Sequence, residues 1–144
     1  MELRRDAATA HLRLSELLAA TGDAKAAMQA VRTAVDLIRD TATDPGASPA
    51  ARRDLAVGYS RLGDMMAATG ATSDSLEYHR LALETYEAQV REDPTNAAAR
   101  NDLAIAFYKQ AEMLDADGRT REALASLERA ATLQDQLALS LIHI

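Results

Sequence analysis

The chain repeats itself every 48 residues. Residues 4–41 align with 52–89 without a gap, and 52–89 align with 100–137 in the same register. The first alignment pairs Arg4 with Arg52, Asp6 with Asp54, Leu14 with Leu62, Gly22 with Gly70, Arg32 with Arg80 and Ala34 with Ala82. The second pairs Asp54 with Asp102, Leu55 with Leu103, Gly70 with Gly118 and Ala82 with Ala130. Such a period marks tandem units, here 1–48, 49–96 and 97–138, and it restricts the fold to architectures in which like units stack.

Each unit reads as two helices. In the second unit Leu55, Tyr59, Leu62 and Met66 recur at i, i+4, i+7 and i+11, one face of a helix; the third carries Leu103, Phe107, Gln110 and Leu114 at those phases. The first pattern ends at AATG (19–22), AATG (67–70) and DADG (115–118), where glycine supplies the positive φ of a helix stop. A second pattern follows within a few residues, with Ser75, Leu76, His79, Ala82, Leu83 and Tyr86 on its apolar or small face. A link that short forces an antiparallel hairpin. TDPGASP (43–49) and EDPTN (92–96) are turn sequences between units, and Ser48-Pro49 reads as an N-cap followed by proline at the first helical position. No unit can bury its apolar face alone, so the hairpins must cover one another.

Composition agrees and narrows the function. Ala and Leu dominate, and only three prolines interrupt the chain. A net charge of −6 with interspersed signs gives no basic stripe, so no nucleic-acid or membrane partner is expected. Without cysteine there is no disulfide framework and no thiolate site, which fits a cytoplasmic protein.

These phases resemble the tetratricopeptide repeat. Its first helix places a bulky residue, a leucine and a small residue where this chain has His11-Leu14-Ser15, Tyr59-Leu62-Gly63 and Phe107-Gln110-Ala111. Its second helix takes small residues where this chain has Ala27, Ser75 and Ala123, then Ala34, Ala82 and Ala130. The resemblance covers residues 4–138 and implies an all-α, right-handed helical-hairpin solenoid of three repeats and six helices. Two departures stand out: Gln110 replaces a leucine, and the period exceeds the family's 34, which assigns the extra residues to the second helix and the following loop. The long form resembles repeats found after the kinase domain of bacterial serine/threonine kinases and in related signalling proteins.

The resemblance implies a scaffold rather than an enzyme. No acid, base and nucleophile cluster, and neither cofactor nor metal ligation is expected. His11 and His79 fall at core phases, and the tyrosines and methionines Tyr78, Tyr86, Met65, Met66 and Met113 read as packing. A basic residue precedes an acid by three in every first helix: Arg13/Glu16, Arg61/Asp64 and Lys109/Glu112, an ordinary i, i+3 surface pair. In the resembled family these phases line a concave groove. The implied groove residues are Leu12, Arg13, Glu16, Val57, Arg61, Asp64, Ile105, Tyr108, Lys109 and Glu112, flanked by Thr9 and Ser60. A row of cations beside an apolar strip would hold an extended acidic or C-terminal peptide of a partner protein. The alternative is self-association through exposed repeat edges, as the structural tail of a multidomain kinase or regulator.

Residues 139–144, LSLIHI, break the pattern. The hexapeptide resembles the translation of a transposon-end adapter and is read as a non-native apolar tail, which assigns no role to His143. On that reading the chain is a fragment of a larger protein, and Leu133 and Leu137 lie on a face left open.

Overall fold

The computed structural model describes residues 2–142. Its six helices are α1 (Glu2–Ala20), α2 (Ala24–Thr43), α3 (Pro49–Ala68), α4 (Thr72–Glu92), α5 (Ala97–Ala116) and α6 (Thr120–Ile142). Each second helix packs on its own first helix, and α2 and α4 also pack on the first helix of the next unit. The result is a helical-hairpin solenoid of three repeats. His143 lies outside the described residues.

The hairpin turns are built identically. Gly22, Gly70 and Gly118 have φ of 85°, 80° and 78°. The N–H one residue beyond each glycine donates five residues back (Asp23 to Leu18 O, Ala71 to Met66 O, Arg119 to Leu114 O), and the glycine N–H donates three back. This double bond pattern closes the first helix by satisfying its last carbonyls. The next helix is capped at once in the first hairpin, where the Asp23 carboxylate accepts from the Ala26 N–H. Between units, Ser48 caps α3 through Ala51 N–H with Pro49 in the first turn, and Asn96 caps α5 through Ala99 N–H.

A continuous core runs through all three hairpins, from Ala8 and Leu12 through Val31, Val35 and Ile38 to Leu55, Tyr59 and Leu62, and on to Leu83, Tyr86, Leu103 and Phe107. Alanines 34, 82 and 130 are buried where helices approach closely. Three expectations need correction. The two helices of each hairpin are nearly equal in length, so the added residues are shared by both and do not lie in the second helix and loop. Leu133 and Leu137 are half-buried on α6; the leucines that α6 exposes are Leu124, Leu127, Leu139 and Leu141. Leu14, a core phase by pattern, is 45% exposed, whereas Leu62 at the same phase of α3 is buried beneath its neighbours.

Candidate partner-binding surface

The first helices lie side by side, and their charges pair mainly across units. Arg61 of α3 donates to the Leu12 carbonyl (2.8 Å) and pairs with Glu16, both on α1. Lys109 of α5 pairs with Asp64 of α3. Of the three i, i+3 pairs read from sequence, only Arg13–Glu16 closes, at 3.4 Å. The face is therefore a staggered ladder of opposite charges, not a row of free cations. The structure brings Glu16, Arg61, Asp64 and Lys109 together. It leaves Arg13, 78% exposed, at one end and Glu112, also exposed, at the other.

The apolar strip divides by position. Leu12 is 7% exposed, because α3 lies over it; Leu12 is a core residue, not part of a free groove. Val57 is half-buried at the next junction. Ile105 and Tyr108 are 46% and 52% exposed, with no helix among the described residues packed over them. They border a notch of about 370 Å³ with Leu127 and Ala131.

Asp64 is the best-connected group of this face. His79 Nε2, from α4 and itself buried, lies 3.4 Å from Asp64 Oδ1, and Lys109 holds the other oxygen. Burial pushes the Asp64 carboxyl up, but hydrogen bonds from His79 and Lys109 outweigh it and hold the carboxyl below its ordinary value. Glu16 is likewise lowered, first by its hydrogen bond to Arg61. His79 is thus a packed core residue with a polar partner, which its phase alone did not reveal. No group of three or more His, Cys, Asp or Glu side chains is placed to hold a metal among the described residues.

A larger hollow than the notch lies elsewhere, and the pattern reading missed it. A furrow runs between α4 and α6 over the floor of α5, with a hollow of about 750 Å³ at one end and one of about 490 Å³ at the other. Arg129 crosses it, 3.6 Å from Glu87 and with its guanidinium 5.4 Å above the Phe107 ring. In the preceding furrow, over α3, Tyr78 packs on Tyr59 with ring centroids 6.3 Å apart and Leu81 joins the core, and a hollow of about 420 Å³ beside Leu55 and Thr85 remains. At +48 these positions are Ser126 and Arg129, and Leu62 becomes Gln110. The Ser126 hydroxyl donates to Gln110 Oε1 at 2.8 Å, so the glutamine is satisfied rather than misplaced. The signal was present in the sequence as the replacement of apolar or aromatic residues by polar ones at three phases together.

Residues 8–41 match the family model of the tetratricopeptide repeat. The match spans most of α1 and α2, and the two later hairpins reproduce that arrangement at +48. Among solved structures, the crystal structure of MamA is similar over 91% of this chain and 80% of its own, at 18% identity and a TM-score of 0.31. No curated protein matches. No described helix is long and apolar enough to cross a membrane.

Proposed function

We propose that the chain is a non-catalytic scaffold that binds a partner protein or peptide along the face of its first helices. One observation carries this reading: on a face whose inner charges are already paired, Arg13, Ile105 and Tyr108 remain open to solvent. Glu16, Arg61, Asp64 and Lys109 set the spacing of the helices, and Val57 lines the strip between them. The suitable ligand is an extended peptide with an acidic group for the guanidinium of Arg13 and apolar side chains for Ile105 and Tyr108. The finer reading, a cytoplasmic bacterial signalling protein of the kinase-tail type, rests on the long-period resemblance alone. The test is titration with extended acidic peptides. Arg13→Ala and Tyr108→Ala should each weaken binding, and Arg13→Ala should flatten its salt dependence. A peptide panel that binds with no sensitivity to either substitution refutes the groove.

A second reading is favoured by the α4–α6 furrow. Its volume suits a bound segment, and Arg129, Arg80 and Arg119 stand along it among Glu77, Glu84 and Glu122. Ser126→Tyr with Arg129→Leu would rebuild the tyrosine and leucine packing that Tyr78 and Leu81 give the second unit. Loss of partner binding in that variant, with Arg13→Ala silent, assigns the site to the furrow.

A further inference from the structure

We propose that the furrow between α4 and α6 receives an arginine side chain of a partner peptide, and that Arg129 holds that place until the peptide displaces it. This deepens the furrow reading and rests on it; it is independent of the first-helix face.

Glu87, Phe107 and Arg129 line both hollows of the furrow, so together they form the partition between them. Arg129 reaches across from α6. Its guanidinium lies 5.4 Å above the Phe107 ring, within cation–π range. Its carboxylate partner, Glu87 of α4, is 3.6 Å away, too far for a hydrogen bond. The Arg129 side chain is 68% exposed and forms no hydrogen bond among the described residues. Other arginines that bridge helices are held closely: Arg5 on Asp54 at 2.7 Å, and Arg53 on Asp102 through two nitrogens at 2.6 and 3.2 Å. A ring face beside a carboxylate is a seat for a guanidinium, and here a loosely held side chain of the protein sits in it.

The charge of the furrow selects the ligand. Arg80 is held by Glu77 and Glu84, and Arg119 by Glu122. Asp117 and Glu128 line the hollows as well, are exposed, and form no ion pair among the described residues. Acids therefore outnumber cations, which disfavours the acidic peptide suited to Arg13 and favours a cation. The walls on either side of the partition are apolar, with Leu76 and Leu83 in one hollow and Leu103 and Leu133 in the other. A peptide arginine flanked by apolar residues would set its guanidinium on Glu87 in a two-point pair and its neighbours in the two hollows.

A further repeat would not fill this space. Phe107, Arg129 and Leu133 stand at the phases of Tyr59, Leu81 and Thr85, which line the hollow of about 420 Å³ over α3. That hollow stays open although α5 and α6 follow it. The furrow belongs to an internal junction, and a unit stacked beyond α6 would leave it in place.

Phe107 is the one phenylalanine of the chain, so NMR of isotope-labelled phenylalanine reads the seat directly. The full chain is titrated with acetyl-Leu-Ala-Arg-Ala-Leu-amide and with the same peptide carrying citrulline, which keeps the shape of arginine without its charge. The arginine peptide should shift the ring signals to saturation, and the citrulline peptide should bind at least about tenfold more weakly. Glu87→Gln should weaken the arginine peptide by about tenfold. Arg129→Gln empties the seat and should tighten the arginine peptide by about threefold, a gain that a purely structural Arg129 would not give. Unchanged circular dichroism and melting will show that both variants are folded. Weaker binding to Arg129→Gln, or equal responses to arginine and citrulline, would overturn the proposal and leave the furrow reading standing. Ring signals that answer neither peptide, or that shift with protein concentration alone because a second copy occupies the furrow, would also overturn it. The furrow reading itself falls if partner binding survives Ser126→Tyr with Arg129→Leu.

Discussion

Gly63 and His79 share one space. A Cβ at 63 would sit 2.7 Å from His79 Nε2 and under 3.0 Å from two further ring atoms. The imidazole, from α4, fills the volume that a side chain on α3 would need. Ser15 and Ala111 occupy the same phase in the other units, opposite Val31 and Leu127 at the position of His79. The second unit thus couples the smallest residue to a planar polar one, and that ring reaches Asp64.

Gly63→Ala should therefore destabilise the protein by about 1–3 kcal/mol through overpacking. His79→Ala alone opens a cavity and strips Asp64 of a partner. The double variant should cost less than the sum of the singles, since each change relieves the other. Denaturant unfolding of the four proteins measures the coupling; strict additivity would show that the contact is slack.

Asp64 sets an acid limb. Its folded value is depressed below the ordinary 3.8, so its contribution to stability is complete above that value and is lost as pH falls through the folded one. Glu16 acts in the same direction below its ordinary 4.5. Asp64→Asn should lower the melting temperature at neutral pH, with the gap to the parent protein narrowing as the solution is acidified below about pH 4. A gap that stays constant would show that the pairs to His79 and Lys109 contribute nothing.

Tyr86 sets the alkaline limb. Burial first, and the Asp102 carboxylate second, push its phenol from 10.0 up to about 12. Between those values the unfolded chain ionises Tyr86 while the folded chain does not, so stability falls as pH rises. Tyr86→Phe should flatten that fall with little change at neutral pH. Melting temperatures measured across the alkaline range check it.

Gly70→Ala probes the turn alone. Nothing lies within 4 Å of a Cβ built there, but φ is +80°. The cost should be about 1–2 kcal/mol from backbone conformation, with Gly70→Asn less damaging. Equal costs for Ala and Asn in thermal melts would implicate some other origin.

The hairpins were legible because their determinants are local. Gly22, Gly70 and Gly118 each end a helix through bonds within six residues, and Ser48-Pro49 caps its helix as read. The buried faces followed from periodicity for the same reason. The charge ladder was not legible. Arg61 and Glu16 are 45 residues apart, and their meeting depends on how one hairpin leans on the next, whereas the i, i+3 spacing within α3 suggests Asp64 as the partner. Leu12 was misjudged for a related cause: its phase matches Tyr108, yet α3 covers the one and none of the described helices covers the other. The furrow over Phe107 needed residues from three helices to be compared at once.

The turns also make the two ends of the hairpins unequal. Turns 21–23 and 69–71 are three residues long and locked by crossed backbone bonds, so an added residue there would rotate the following helix by roughly 100°. Loops 44–48 and 93–96 at the opposite end carry no such lock and can lengthen at a cost that grows only as the logarithm of their length. That rim is the place to graft an epitope, a fluorophore site or a second domain without disturbing the stack.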